Sequence, residues 1–229
     1  MDLIESGVRN PINHWYYAHK FWFIRNSRSW NSANLNSLVD IGAGSALFSK
    51  ELLRLNFVSK VVAVDVGYKA ERETKSGISY CRTTHYSGYT HFLLTDVLEH
   101  VEKDKEFLAD IVSQADRDSA FIITVPALMS LWSGHDVFLR HYRRYTKNEL
   151  RQLVEESGLS VISVRYTYST VFPVAYIQRK FAQKSSQNSQ LKENTFLARS
   201  IMRIMLFPDR WISFLPFGVS LVLEARKNA

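Results

Sequence analysis

A short apolar run followed by two closely spaced glycines constrains the fold of this chain more than any other feature. Residues Ser37–Ile41 are β-prone, Gly42 and Gly44 form a turn, and Ala46–Leu55 has helical character. Glycine allows the backbone to turn sharply and to come close to a ligand. A strand, a glycine turn and a helix in this order predict one unit of an α/β sheet.

The same alternation of strands and helices continues along the chain. Further strands are predicted from apolar or β-branched runs at Lys60–Val64, Ile78–Arg82, His91–Thr95, Ala120–Val125, Val161–Tyr168 and Val219–Ala225. Predicted helices are Glu102–Gln114, a helix capped by Thr146 and Glu149 that ends at Gly158, and Phe196–Leu206. We therefore expect an α/β domain with a largely parallel sheet.

Composition limits the classes of protein that fit this sequence. The chain has 229 residues, the length of one larger domain, and its 46% hydrophobic content excludes a mainly disordered protein. A single cysteine, Cys81, excludes an internal disulfide framework and a multi-cysteine zinc site. No signal peptide is evident, and no uncharged stretch reaches the ~18 residues of a spanning helix, so we expect a cytoplasmic or membrane-peripheral location.

The chain is basic, which favours anionic partners. Lys and Arg number 29 against 22 Asp and Glu, a formal charge of +7. Phosphorylated small molecules, nucleic acid and an anionic membrane surface all fit this charge, as does an ordinary solvated basic surface.

Ligand-binding residues are expected where the strands end, because parallel α/β sheets bind ligands at their carboxyl edge. Asp65 follows the second strand, 25 positions after Asp40 (65 − 40 = 25). An acid at this place can accept hydrogen bonds from both hydroxyls of a ribose. The third glycine of the dinucleotide fingerprint is missing, since Ala46 or Leu47 stands there. The pattern favours a nucleoside ligand over a nicotinamide dinucleotide.

Four segments carry a family resemblance. Val39–Ala46 resembles motif I of class I S-adenosylmethionine-dependent methyltransferases, with Ala46 in place of the last glycine. Leu93–Val101 resembles the fourth-strand motif of a subgroup that includes ubiquinone-biosynthesis methyltransferases. Thr124–Glu149 and Leu215–Lys227 resemble a bacterial branch associated with glycan and lipid-linked sugar pathways. The resemblance implies a single Rossmann-like domain over 1–229, with a mostly parallel seven-stranded sheet, helices on both faces and an antiparallel last strand.

The resemblance also implies S-adenosyl-L-methionine as cofactor and assigns residues to it. Asp65 is expected to bind the ribose and Val66 to lie against the adenine. The residues expected to hold the methionine end of the cofactor are Asp40, Gly42, Ala43 and Gly44. Thr95 and Asp96, at the end of the fourth strand, are expected to line the site under the transferable methyl group. The usual acid after the third strand is not evident.

Histidines and arginines near the fourth and fifth strand ends are candidates for handling the acceptor. A hydroxyl acceptor needs a base or a metal to remove its proton. We interpret His100 and His141 as catalytic candidates together with Asp96. Candidates for binding a phosphorylated or glycan acceptor are His135, Arg140, Arg143, Arg144 and Tyr145. The alternative is a basic helix start whose tyrosines pack on the core and whose histidines form structural hydrogen bonds.

Asp96, Glu99 and His100 form a D-x-x-E-H pattern with a second possible meaning. It resembles the E-x-x-E-H metal motif of small-RNA 2′-O-methyltransferases, in which a later histidine, here His141, completes the site. Carboxylates and imidazole suit Mg²⁺ or Mn²⁺. A metal is therefore an alternative to direct catalysis by histidine.

The functional hypothesis is O-methylation of a sugar, glycan or small-molecule hydroxyl. Two alternatives remain: a metal-assisted RNA 2′-O-methyltransferase, and a non-catalytic nucleoside- or nucleic-acid-binding protein. The aromatic segment 13–30 is interpreted as a packed helix or a lid over the cofactor. Residues 170–215 are expected to form a helical insertion with a mobile loop at 183–195. The apolar helical part of this insertion is expected to lie on a membrane, to form a homodimer interface or to pack as core.

Overall fold

A computed structural model describes residues 11–30, 35–74, 76–181, 196–212 and 214–228. Eight strands form one sheet: β1 Leu35–Ile41, β2 Val58–Val64, β3 Arg72–Glu73, β4 Ile78–Cys81, β5 His91–Thr95, β6 Ala120–Pro126, β7 Leu159–Thr167 and β8 Ser220–Lys227. Seven α-helices occur in the described ranges: α1 Trp15–Arg25, α2 Leu47–Arg54, α3 Asp104–Gln114, α4 Gly134–Phe138, α5 Lys147–Glu156, α6 Phe172–Phe181 and α7 Phe196–Leu206.

The strand order is β3-β4-β2-β1-β5-β6-β8-β7. β1 pairs in parallel with β2 and β5, β2 with β4, and β5 with β6. β8 runs antiparallel to both β6 and β7. The predicted parallel sheet with an antiparallel last strand is confirmed. The predicted count of seven is too low by one, because the two-residue β3 pairs antiparallel with β4, and two charged residues leave no pattern that predicts a strand.

The chain changes direction across the sheet at β1. From β1 it builds β2 and β4 on one side, and it then crosses to place β5 and β6 on the other. Asp40 pairs with Ala63 of β2 and with Leu93 of β5, so the carboxyl ends of these three strands lie together. Such a switch point opens a crevice at the carboxyl edge of an α/β sheet. The glycine turn, Asp65 and Asp96 all follow strands that end at this edge.

Helices cover both faces of the sheet. α3 and α5 pack on one face through Leu108, Ile111 and Val154, and α1 and α2 pack on the other through Ile24 and Leu52. All seven side chains of β6 are buried between the two layers. This burial explains why β6 reads as a continuous apolar run rather than an alternating one.

Local sequence signals set several boundaries correctly. Thr146 and Glu149 form the predicted capping box at the start of α5, with Thr146 N donating to Glu149 Oε2 at 2.7 Å. Gly158 follows α5 with φ of +95°, a left-handed conformation that suits glycine. The predicted bounds of α7 are confirmed, whereas the segment predicted as a mobile loop at 183–195 lies outside the described residues.

The aromatic segment 13–30 contains a helix that is shorter than the segment itself. A 3₁₀ turn at Pro11–Asn13 precedes α1, which ends at Arg25. Tyr17, Phe21 and Ile24 are buried against the sheet, so the helix packs on the domain. Among the described residues, no helix is long and apolar enough to cross a membrane.

Candidate active site

The bend after β1 holds the backbone close to the segment that follows β5. Gly42 and Gly44 have φ of +65° and +53°, and Ala46 continues this left-handed course at +52°. A Cβ atom on Gly42 would lie 2.6 Å from Val97 Cγ2, a separation that forces movement. Ala46 keeps the left-handed conformation in which the resembling motif has glycine, at an expected cost of about 1–2 kcal/mol.

Asp65 ties this bend to the end of β2. Its Oδ2 accepts a hydrogen bond from Gly44 N at 2.8 Å, and its Oδ1 accepts one from Gly67 N, also at 2.8 Å. Ala43 N donates to Val64 O at 3.1 Å and closes the same junction. A carboxylate has about four acceptor positions, so two remain for an incoming pair of hydroxyls. The structure therefore brings Asp65 to the glycine bend, as the sequence predicts.

A cleft of about 410 Å³ opens beside this junction. Small-molecule sites have volumes of roughly 300–1,000 Å³. Val66, predicted to lie against adenine, follows Asp65 and is 79% exposed to solvent. Tyr80 and Tyr68 form aromatic walls, and Tyr68 donates its hydroxyl hydrogen to Gly44 O at 2.7 Å. The other lining residues are Gly44, Ser45, Lys50, Gly67, Lys69, Ala70 and Arg72.

Asp40 lies buried beneath the bend with one oxygen unsatisfied. Ser49 of α2 donates its hydroxyl hydrogen to Asp40 Oδ2, whereas Oδ1 has no hydrogen-bond partner within the described part of the chain. Burial raises the pKa of Asp40 to about 6. A buried carboxyl oxygen without a partner favours a ligand that brings a hydrogen-bond donor, such as the ammonium group of an amino acid.

The loop after β5 carries two carboxylates, Asp96 and Glu99, which have different neighbours. Asp96, with φ of +54°, accepts a hydrogen bond from Thr124 Oγ1 at 3.1 Å and forms an ion pair with Lys20 of α1. Lys20 is 1% exposed and also donates to Tyr16 Oη at 3.1 Å. Burial alone would lower the pKa of Lys20, but the Asp96 carboxylate outweighs it and raises that pKa. Sequence reasoning missed Lys20, whose one signal was a lysine within an aromatic segment.

Glu99, the second carboxylate of this loop, lies beside two histidines. Ligand atoms of Glu99, His100 and His141 all lie within 4.8 Å of one another. Glu99 is fully buried, and neither of its carboxyl oxygens has a hydrogen-bond partner among the described residues. Burial, with a contribution from the nearby Asp96, raises the pKa of Glu99 well above its usual range. The predicted four-residue set therefore needs a correction: Asp96 lies outside this group because Lys20 occupies its carboxylate.

Asp136 of α4 orients His141. Its buried carboxylate accepts hydrogen bonds from His141 Nδ1 at 3.0 Å, Arg144 Nε at 2.7 Å and Ser133 N at 2.9 Å. Burial alone would raise the pKa of Asp136, but His141 and Arg144 outweigh it and hold that pKa far below its usual range. An ionised carboxylate only accepts hydrogen bonds, so Nδ1 carries the proton and Nε2 of a neutral His141 keeps its lone pair. Sequence reasoning also missed Asp136, five residues before His141.

Three residues predicted to bind the acceptor make side-chain contacts within the chain. Arg144 is buried and donates to Ala127 O at 3.1 Å as well as to Asp136. Tyr145 is buried and donates its hydroxyl hydrogen to Asp104 Oδ2 at 2.7 Å, and Arg143 pairs with the same oxygen at 3.1 Å. The burial of Arg144 and Tyr145 agrees with the alternative interpretation, a basic helix start with tyrosine packed on the core, whereas the Arg143 side chain is 37% exposed.

The remaining predicted residues differ in their exposure. Thr95 is buried at the end of β5, beside the loop that carries Asp96. His135 is half-buried on α4. Arg140 is exposed, with φ of +57°, immediately before His141. Of the five residues predicted to bind the acceptor, Arg140 is thus the one that is exposed.

Comparison with known proteins identifies the fold. No family model matches the sequence, and no curated protein matches it. A methyltransferase structure from Archaeoglobus fulgidus matches at 14% identity and a TM-score of 0.54, covering 93% of this chain and 94% of the other. Phosphoethanolamine N-methyltransferase 2 of Haemonchus contortus, solved with S-adenosyl-L-methionine, matches at 12% identity and 0.58, covering 96% and 55%.

The chain has the class I methyltransferase fold. The cyclase SpnF also matches, at 11% identity and a TM-score of 0.57, covering 93% of this chain and 82% of SpnF. A protein described as a cyclase therefore shares the class I methyltransferase fold, and fold alone does not decide the reaction. The side chains at the carboxyl edge determine the reaction.

Proposed function

We propose that the chain transfers a methyl group from S-adenosylmethionine to a hydroxyl oxygen of a sugar, glycan or other small molecule. The observation that carries this proposal is the junction of Asp65 with Gly44 in a class I methyltransferase fold. This junction places an acidic side chain with free acceptor positions beside a cleft of suitable size. The crevice at the switch point is where such folds bind nucleosides.

The residues of the bend fit the cofactor. Asp65 would accept the ribose hydroxyls, and the unsatisfied Asp40 Oδ1 would lie toward the amino-acid end. Gly42 and Gly44 leave the backbone free of side chains along this path. When bound, S-adenosylmethionine supplies an electrophilic methyl group on its sulfonium sulfur. The protein then has to bring an acceptor oxygen into line and exclude water.

His141 is the residue we assign to remove the acceptor proton. Asp136 holds its Nδ1–H, so Nε2 is the ring nitrogen left to accept a proton, in the loop after α4 that packs against the segment following β5. The ionised Asp136 also stabilises the imidazolium that forms when Nε2 is protonated. The Lys20–Asp96 ion pair holds α1 against the same edge of the sheet. Arg140 is exposed beside His141 and would meet a phosphate on the acceptor.

Calorimetry with S-adenosylhomocysteine tests the cofactor half of the proposal. We expect wild-type protein to bind it and Asp65→Ala to bind at least about tenfold more weakly, because two hydrogen bonds to a charged group are lost. Asp116→Ala is the matched control, since Asp116 also accepts a backbone hydrogen bond, from Gly88 N at 3.0 Å, but away from the cleft. Absence of binding by the wild type, or unchanged binding by Asp65→Ala, contradicts the proposal.

Methyl transfer from labelled S-adenosylmethionine to a fractionated cell extract tests the acceptor half. We expect label in a glycan or small-molecule fraction, and a loss of about 10²–10⁴-fold in kcat for His141→Asn. His91→Asn is the control, because His91 begins β5 and lies at the opposite edge of the sheet. Binding of S-adenosylhomocysteine without transfer to any fraction would instead indicate the non-catalytic nucleoside-binding alternative.

One observation favours a second candidate, metal-assisted 2′-O-methylation of RNA. The unpartnered Glu99 lies with His100 and His141 in a group whose ligand atoms are within 4.8 Å, which fits a divalent cation. Two imidazoles and one carboxylate suit Mn²⁺ better than Mg²⁺, which prefers oxygen ligands. Such a cation would supply Lewis acidity toward an acceptor hydroxyl. His141 Nε2 would then be a ligand, so this use excludes its use as a base.

Titration with Mn²⁺, combined with a methyl-transfer assay in EDTA, separates the two candidates. The metal-assisted candidate requires saturable binding by the wild type and loss of it in Glu99→Gln, with transfer to RNA that stops in EDTA. The leading proposal requires transfer that persists in EDTA. Full metal-free activity together with no Mn²⁺ binding removes the metal-assisted candidate.

A further inference from the structure

The segment at the end of α7 exposes an unusual amount of apolar surface. We define the apolar crest as six large side chains between 38% and 80% exposed: Ile201, Ile204, Met205, Phe207, Trp211 and Phe214. The first three share one face of α7 at a spacing of three and four residues. Contiguous exposed apolar surface of this kind marks a binding surface on an otherwise water-facing protein.

Hydrogen bonds to β7 and α1 hold the turn in the middle of the crest. Arg165 of β7 donates through Nη2 to the carbonyl oxygens of Asp209, Arg210 and Ile212 at 3.0–3.2 Å. The buried Asp209 carboxylate accepts a hydrogen bond from Tyr168 N at 2.7 Å and lies 2.7 Å from His19 Nε2. These contacts fix the turn between Phe207 and Trp211 to both β7 and α1.

The charges around the crest are of one sign. Arg203 is exposed on α7, and the Arg210 guanidinium lies over the rings of Trp22 and Phe207 at 5.2 and 5.7 Å from their centroids. Asp209 is the one acid between residues 196 and 218, and it is buried. Within the described residues, the crest therefore presents apolar and cationic groups with no exposed acid among them.

We infer that the apolar crest binds the surface of an anionic lipid bilayer. Side chains that are 73–80% exposed, such as Ile204, Trp211 and Phe214, project from the surface and do not line a groove. Projecting Trp and Phe beside Arg are the residues that interfacial segments insert at the headgroup boundary. A second copy packed symmetrically here would bring Arg203 and Arg210 toward their own counterparts, which disfavours a dimer.

The crest lies one helix away from the candidate active site. α7 packs against α1, and Arg203 Nη2 donates to Asn13 O at 3.0 Å just before α1 begins. The same α1 carries Lys20 to Asp96. Binding of the crest would hold this side of the sheet edge near the lipid headgroups, where a lipid-linked acceptor would be presented; only this consequence rests on the proposed function.

Co-sedimentation with vesicles tests the inference on the full chain, without cofactor or acceptor. The probe is vesicles of phosphatidylcholine and phosphatidylglycerol at about three to one, compared with phosphatidylcholine alone. We expect binding to the anionic vesicles that weakens as salt rises, and much weaker binding to the neutral ones. Ile204→Glu and Phe214→Glu should each weaken binding about tenfold or more. Ile162→Glu, an equally simple change at an exposed apolar residue of β7, should leave binding unchanged.

Circular dichroism and sedimentation velocity complete the test. The variants should keep the wild-type spectrum, and wild type should sediment as a monomer. Absence of binding to anionic vesicles overturns the inference. So does a dimer that Ile204→Glu and Phe214→Glu convert to monomer, because the crest would then be an interface between copies. Because no methyl transfer is measured, failure of the proposed function leaves these results unaffected.

Discussion

The two halves of the carboxyl edge hold their carboxylates by different means. In the half formed by β1 and β2, Asp65 accepts backbone N–H groups from Gly44 and Gly67, which lie 21 and 2 residues away in the chain. In the half formed by β5 and β6, Asp96 is held mainly by the Lys20 side chain, 76 residues away. The carboxyl oxygens of Glu99, three residues after Asp96, have no hydrogen-bond partner in the described structure.

The difference predicts which substitutions should disturb each half. A carboxylate held by backbone N–H groups fixes the course of a loop, and any side chain that disturbs the loop disturbs the site. A carboxylate held by one distant side chain instead depends on the partner being present, because an unpaired charge at this depth is costly. Substitutions that remove one group at a time should therefore affect the two halves in different ways.

The largest effect should come from Asp96, in the half held by side chains. Asp96→Asn leaves the buried Lys20 ammonium without a counter-charge, and we expect it to lower the free energy of unfolding by about 4 kcal/mol. Glu99→Gln removes a carboxylate that has no partner, so we expect no loss of stability in the presence of EDTA. Urea unfolding at pH 8 measures both variants.

A double variant checks the cause of the Asp96 effect. Lys20→Met combined with Asp96→Asn removes both charges, and it should recover part of the stability lost in Asp96→Asn alone. An equal loss in Asp96→Asn and Glu99→Gln would show that the two carboxylates do not differ in the way described.

A smaller effect, which depends on pH, should come from Asp40, which lies in the same half as Asp65 but accepts its hydrogen bond from the Ser49 side chain. Burial raises the pKa of Asp40 to about 6 from an ordinary value near 3.8. Between these values the folded chain binds a proton that the unfolded chain has released, so the contribution of Asp40 to stability is full below pH 3.8 and is lost as pH rises through 6. Relative to Asp40→Asn, wild-type stability should fall by at most about 3 kcal/mol from pH 4 to pH 7.

Urea unfolding at several pH values measures this difference. Ser49→Ala sharpens the test, because the Ser49 hydroxyl donates to Asp40 and lowers its pKa. Without that hydrogen bond the fall in stability should move to higher pH. Parallel pH curves for wild type and Asp40→Asn would contradict the assignment.

The same comparison explains which parts of the structure the sequence predicts. The bounds of β5 and α7 and the junction of Asp65 with the bend follow from periodicity, glycine and strand ends, all of which are local signals. The Lys20–Asp96 pair joins residues far apart in the chain, and no pattern in either segment names the other. The sequence leaves two interpretations of Arg144 and Tyr145 open for the same reason, since a basic cluster has the same composition whether it faces solvent or Asp136 and Asp104.

The smallest effect should come from two glycines that share a backbone conformation but differ in surrounding space. Gly42 and Gly88 have φ of +65° and +85°, so alanine at either site should cost about 1 kcal/mol through backbone strain. At Gly88 a new Cβ meets nothing within 4 Å, whereas at Gly42 it meets Val97 Cγ2 at 2.6 Å. We expect Gly42→Ala to cost about 2 kcal/mol more than Gly88→Ala in urea unfolding, because the bend cannot move away from the β5 loop without breaking its contact with Asp65.

Removing the methyl groups of Val97 isolates that contact. In a Val97→Ala background, the added cost of Gly42→Ala should fall to that of Gly88→Ala, since only backbone strain remains. The bend would then keep its place, and binding of S-adenosylhomocysteine should return toward that of Val97→Ala alone. If Gly42→Ala costs the same in both backgrounds, the close approach of the two loops does not set the geometry of the bend, and the half held by the backbone would have to be explained by the Asp65 hydrogen bonds alone.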